Sequence, residues 1–193
     1  MTDSATSTRA SAATTRTSVT RVSPVDAHGH LRTAYKVTRS LGAAQCLSGS
    51  EATGNAYRCF AGNYVVDPCW VMSNHAYVAC LSAPWSRSVW RLHVTRGYQD
   101  FGVGPGAANY PWGTTLTNGW HCDWLQGASG FVGSYRISYG CTGHPSYALV
   151  GSVDKSHAVW RIRLAHDTGG YHFRIVGWTN IARAWFGKAS LRA

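Results

Sequence analysis

Charge is what this chain has least of. Asp, Glu, Lys and Arg together make up 13% of its 193 residues, about half the share usual in a soluble domain. Glutamate occurs once, as Glu51. A carboxylate-pair enzyme would therefore have to draw on Asp67, Asp100, Asp123, Asp154 or Asp167, and Asp67 and Asp167 read as turn formers beside Pro and Gly. No apolar run approaches the ~20 residues of a membrane-crossing helix, and no apolar core of a secretory signal follows Met1. Cys-x-x-Cys is missing, which removes the usual spacing of a structural zinc site. His-Glu-x-x-His is missing too, and the stretch at 127–131 fails the Gly-x-Ser-x-Gly elbow because Phe131 stands where glycine is required. The glycine-rich run at 102–106 lacks the Lys-Ser/Thr ending of a phosphate loop and reads as a flexible surface loop. No motif asks for a cofactor or a metal. No segment keeps a helical period, and no internal repeat is visible.

With few charges, solubility leans on Ser, Thr, Gly, Asn and His, which suits exported or envelope proteins. The charges present are mostly positive, for a net +10. A basic body favours anionic partners: nucleic acid, an acidic polymer, anionic headgroups or an acidic protein. Oligomeric state is not legible. Hydrophobic residues at 45% and nine tryptophans supply a sizeable core.

Residues 1–27 are Ser, Thr and Ala with scattered Arg, so they read as a disordered leader ahead of a single β domain over 28–193. The six cysteines, Cys46, Cys59, Cys69, Cys80, Cys122 and Cys141, form an even set. Sequential pairing is simplest: Cys46–Cys59, Cys69–Cys80 and Cys122–Cys141 each close a strand–turn–strand unit, worth about 3 kcal/mol apiece in the chain-entropy picture. Disulfides imply an oxidising compartment. That sits awkwardly with the missing signal, unless the start codon is misplaced, export is non-standard or the thiols are reduced.

The organising stretch is Tyr57 to Trp70. It contains the Ala61-Gly-Asn63 turn, the β-prone run Tyr64-Val-Val66 and an Asp67-Pro68 step expected to stop that run. Clean alternation marks strands at Val89–Arg96, with Trp90, Leu92 and Val94 inward, and at Ser134–Tyr139. Asn118-Gly119 signals a hairpin. The clearest hairpin sets Ala158, Trp160, Ile162 and Leu164 against Tyr171, Phe173 and Ile175, with Ala184-Trp-Phe-Gly187 as a last edge strand. Parity then places Arg163 opposite His172 or Arg174, setting basic groups together across the strands. Trp85, Trp112, Trp120 and Trp124 lie near turns, as candidate stacking surface. The fold class is all-β, a small antiparallel sandwich or barrel stapled by disulfides.

Two sites follow. Arg91, Arg136, Arg161, Arg163 and Arg174 take polar-phase strand positions, and on one sheet face they would form an anion-binding surface. Alternatively, His93 and His172, each two residues from an arginine, could cleave a phosphodiester by general acid–base catalysis, as in a small secreted nuclease. On adjacent strand positions, His121, Cys122 and Asp123 point to opposite faces and make no triad.

Cys46-x-Ser, Ala56-Tyr-Arg-Cys59, Asp67-Pro-Cys-Trp70, Cys80-x-x-x-Pro84-Trp85, Asn118-Gly-x-x-Cys122, Tyr139-x-Cys141, Trp160 and Ala184-Trp-Phe-Gly187 together resemble a family of exported actinobacterial cysteine-containing domains of uncharacterised activity. The resemblance spans about residues 40–187. It implies a secreted or membrane-tethered protein and carries no catalytic residues. The expectation is a non-catalytic, exported or cell-envelope binding module for an anionic ligand or partner.

Overall fold

The computed structural model describes residues 15–98, 110–127 and 129–188. The described residues form thirteen strands and no helix. They are β1 (Ser18–Val22), β2 (Lys36–Gly49), β3 (Tyr57–Ala61), β4 (Tyr64–Val71), β5 (Tyr77–Leu81), β6 (Ser88–Tyr98), β7 (Gly113–Leu116), β8 (His121–Trp124), β9 (Phe131–Val132), β10 (Tyr135–Cys141), β11 (Tyr147–Asp154), β12 (Arg161–Asp167) and β13 (Phe173–Gly187). The run at 102–106 and Asp100 lie outside the described residues.

The all-β, disulfide-stapled fold is observed, with the strands divided between two closed circuits. β2 to β6 form a meander of five strands that closes on itself. An odd number of alternating strands leaves the first and last running the same way, so β2 and β6 pair in parallel. The second circuit runs β7, β8, β10, β11, β12, β13, and β13 returns to pair with β7. Six strands is an even number, and every pairing around this ring is antiparallel. β9 adds to β10, and β1 lies parallel against β13.

Each circuit encloses its own core. Inside the first are Ala44, Ala61, Val66, Val71, Val78 and Leu92 around Cys46, Cys59, Cys69 and Cys80. Inside the second are Leu116, Tyr139, Leu149, Ile162, Ile181 and Phe186, with Cys122 and Cys141. The three expected disulfides are formed. Each joins directly opposed residues on antiparallel neighbours, across β2–β3, β4–β5 and β8–β10.

A third cluster joins the barrels. Trp70 is fully buried on the outside of the first barrel, among Val25, Tyr35, Ala79, Leu81, Val89 and Trp112. Its ring meets that of Trp112 edge-on at 6.1 Å, and its Nε1–H donates to the Lys188 carbonyl at 2.9 Å. Glycine permits the close approach at two points. A Cβ on Gly113 would stand 2.7 Å from Pro84 Cγ, and one on Gly187 would collide with the Thr53 side chain.

Four expectations are corrected. Residues 15–27 are not an unpacked leader: β1 pairs with β13, Thr17 and Val25 are buried, and Thr17 Oγ1 donates to the Ile181 carbonyl at 2.6 Å. Polar composition hid this because the segment is held by backbone pairing to β13 and by only two apolar side chains in the joining cluster, Val22 and Val25. Residues 1–14 lie outside the described residues. Asp67-Pro68 does not end its strand. β4 runs through it, and the ladder to β3 skips from Cys69 to Val66, a bulge that accommodates a residue without an amide donor. In β10 a bulge between Ile137 and Tyr139 reverses the alternation, so Tyr139 is buried in the core while Tyr135 and Ile137 pack on the outside with Val132, Val150 and Ala165.

The fourth correction is the last hairpin. Arg161 pairs with Asn180 and Arg163 with Trp178, because the turn is longer than expected, with Asp167 opposite Phe173, and β13 carries an extra residue between Ile175 and Gly177. Parity arguments fail across a bulge. Ile162 is fully buried and Trp160 and Leu164 pack on the core as expected, but Tyr171 and Ile175 are exposed. Ala184-Trp-Phe-Gly187 is the far end of β13 itself.

Candidate anion-binding cleft

The five arginines read from strand phase do not converge. Arg91 lies on the first barrel, over Tyr77. Arg136 donates to the carbonyls of Leu125 and Gly127 and lies over Trp124. Arg174 sits opposite His166 near the β12–β13 turn. Only Arg161 and Arg163 are brought together, both over the Trp178 ring, at 4.8 and 4.3 Å. Their mutual repulsion is relieved internally: Arg161 Nε donates to Asp154 Oδ2 at 2.9 Å, and Arg163 also covers Tyr135 at 4.0 Å. Hydrogen bonds from Ser156, and then Arg161, hold the Asp154 carboxyl well below its usual pKa. His93 and His172 stand in different barrels, both exposed, with His93 against the Tyr77 ring.

A different set of cations does converge, at the junction of the barrels. An open cleft of about 500 Å3 is lined from one side by Thr20, Arg21, Val22 and Ser23 of β1 and the turn after it. Arg183, Trp185 and Lys188 line it from the end of β13 and just beyond. The other wall is Arg32, Ala34 and Tyr35, leading into β2, and Pro84, Trp85 and Arg87 between β5 and β6. Five cations line it and no carboxylate does. The ion pairs among the described residues use Asp26, Glu51 and Asp154, and none involves these five.

Aromatic rings hold the guanidiniums. Arg87 lies over Tyr35 at 5.0 Å, Arg183 over Trp185 at 5.2 Å, and Arg21 over Phe186 at 5.7 Å. Arg32 Nε donates to the Val25 carbonyl at 2.9 Å, and Arg183 Nε to Ser18 Oγ at 3.3 Å. A guanidinium resting on a ring keeps its N–H edge free for a bidentate anion. The rings are fixed in turn. Trp85 stacks on His121 at 4.5 Å. Trp185 Nε1–H donates to Thr115 Oγ1 at 2.9 Å, and that hydroxyl is also hydrogen-bonded with His121 Nδ1 at 3.1 Å. His121 and Asp123 share a face of β8 while Cys122 points into the core.

Two carboxyls near the junction are withdrawn from water, Asp67 buried and Asp123 half-buried. Asp67, 2% exposed, is pushed up to about 6 by loss of hydration, against the lowering effect of the Ser50 hydroxyl and the Glu51 amide. Burial likewise pushes Asp123 up to about 7. Asp67 is thus a structural acceptor rather than the turn former its Pro neighbour suggested, and Gln126 ties its backbone carbonyl to the second barrel. Among the described residues no three His, Cys, Asp or Glu side chains gather to hold a metal ion. Of the tryptophans read as stacking surface, Trp112 is buried at the junction, Trp124 donates to Glu51 Oε2, Trp120 stacks on His144, and Trp85 walls the cleft.

Strand phase missed the cleft because Arg21 and Arg32 lie in or near the supposed leader and the other three flank turns and strand ends. The local signal was a cation two residues from a tryptophan, as in Trp85-Ser-Arg87 and Arg183-Ala-Trp185. Compared with known protein families, with curated proteins and with solved structures, the chain finds no significant match in any of the three.

Proposed function

We propose that this protein is a non-catalytic, exported or envelope-associated binding module that takes an anionic ligand or partner in the cleft between its barrels. One observation carries the reading: five cations drawn from both walls, three of them resting on aromatic rings, with no carboxylate among the lining residues. Such an arrangement costs stability through like-charge repulsion unless an anion offsets it. Three disulfides support an oxidising compartment, as does the resemblance to exported actinobacterial domains. No helix of the described residues is long and apolar enough to cross a membrane. Cleavage by His93 and His172 has no supporting observation, since the two stand on different barrels.

The test is binding to polyphosphate, sulfated glycan, single-stranded nucleic acid and anionic vesicles across a salt series. The variants are Arg87→Ala/Arg183→Ala and, as a control away from the cleft, Arg161→Ala/Arg163→Ala. Binding should weaken steeply with salt and be lost in the first variant only. If nothing anionic binds at low salt, or the first variant binds as well as the parent, the cleft is only a solvated basic surface.

A further inference from the structure

The cleft is bounded by a strand edge as well as by side chains. β1 pairs with β13 alone among the described strands. The Lys188 amide donates to the Val22 carbonyl at 2.7 Å, so the backbone groups of Val22, and by alternation those of Thr20 and Ser18, turn toward β13. Those of Val19 and Arg21 turn outward. Both residues are exposed, Val19 at 45%. The successive residues Thr20 to Ser23 all line the cleft, both phases of the strand together, with Arg183 and Trp185 of β13 beside them.

We infer that the anionic partner is an acidic polypeptide segment that binds extended, adding a strand to the free edge of β1 while its carboxylates meet Arg21, Arg32, Arg87, Arg183 and Lys188. The inference rests on the cleft reading above and goes beyond it by naming the partner's chemistry. Strand addition supplies main-chain hydrogen bonds that no glycan, nucleic acid or polyphosphate can make. Guanidiniums stand on both walls, with the rings of Tyr35 and Trp85 beside Arg32 and Arg87, so a segment that mixes acidic with β-branched residues fits best. Carboxylate suits the planar guanidinium fork as well as phosphate does.

The experiment uses the full chain and a fluorescent ten-residue peptide alternating Glu with Val or Thr. A second peptide of the same sequence is N-methylated at alternate residues, which removes donors from one edge and leaves the charge unchanged. Polyphosphate is measured in parallel. The parent peptide should bind, N-methylation should weaken it at least about tenfold, and Arg87→Ala/Arg183→Ala should weaken it by a similar factor. Circular dichroism of the variant checks that its β structure is retained. Equal binding of the two peptides would overturn strand addition. Polyphosphate binding that depends on the cleft, without peptide binding, would overturn the peptide and leave the anion reading standing. Failure of both to bind would overturn both.

Discussion

The first barrel fills its interior with two disulfides, Ala44, Ala61, three valines, Leu92 and Tyr57, whereas the second encloses Tyr139, Phe186 and four branched aliphatics around one disulfide. Strand number explains the difference. A closed sheet of five strands is narrower than one of six, because diameter grows with strand count. The narrower interior takes two cystines beside Ala44 and Ala61, so covalent links carry a larger share of its stability, while the wider one holds Leu116, Leu149, Ile162 and Ile181 around a single cystine.

The largest effect should come from removing the covalent part of that contrast. With Cys46, Cys59, Cys69 and Cys80 all changed to Ala, the loss is about 6 kcal/mol, at about 3 kcal/mol per disulfide. Hydrogen exchange should then show lost protection over β2–β6 with the six-stranded circuit still protected. Cys122→Ala/Cys141→Ala should leave both barrels folded. Equal collapse in the two variants would erase the distinction.

Next is the contact that makes the barrels one body. Trp70 is fully buried and bonded to the Lys188 carbonyl, so Trp70→Ala should cost about 3–5 kcal/mol. It should also split one calorimetric transition into two. A single sharp transition at lower temperature would mean that the joint is held elsewhere.

A smaller, pH-dependent effect belongs to the second barrel. Asp123 titrates near 3.8 when unfolded and near 7 when folded, because burial disfavours its charge. The native state therefore holds the proton more tightly, and the stability this group contributes is full below pH 3.8 and lost as pH rises through about 7. Asp123→Asn should melt a few degrees higher than the parent above pH 7, with the advantage gone below about pH 4. A gain that is equal at all pH values would point to packing instead.

The smallest effect is expected at the arginine–tryptophan contact of β12 and β13. Arg163→Ala should cost no more than about 1 kcal/mol, the range of an exposed cation–π contact. A larger loss would mean that this face is structural to the second barrel.

The sequence made the strands and their disulfides legible because both are local: alternation marks a strand's buried face, and nearest-neighbour cysteines closed adjacent strands. Trp90 and Leu92 on β6, and Ile162 on β12, sit as alternation predicts. Bulges were not legible. The turn at 168–172, longer than expected, and the extra residue near Val176 moved Arg163 and Arg174 away from their expected neighbours, and a bulge in β10 did the same for Tyr135. Long-range pairing was equally hidden, since nothing local in Ser18–Val22 announces β13 as its partner. The cleft depends on that pairing, which is why its cations were not grouped beforehand while the basic character of the chain was.

The most direct test of the account is hydrogen exchange of the intact protein with and without a saturating anionic ligand, polyphosphate or the acidic peptide. New protection should fall on residues 19–23, 32–36, 84–88 and 183–188, drawn from both barrels, and should vanish in Arg87→Ala/Arg183→Ala. Protection confined to residues 161–178 of the second barrel, or none at a concentration where binding is measured independently, would contradict a binding site at the junction.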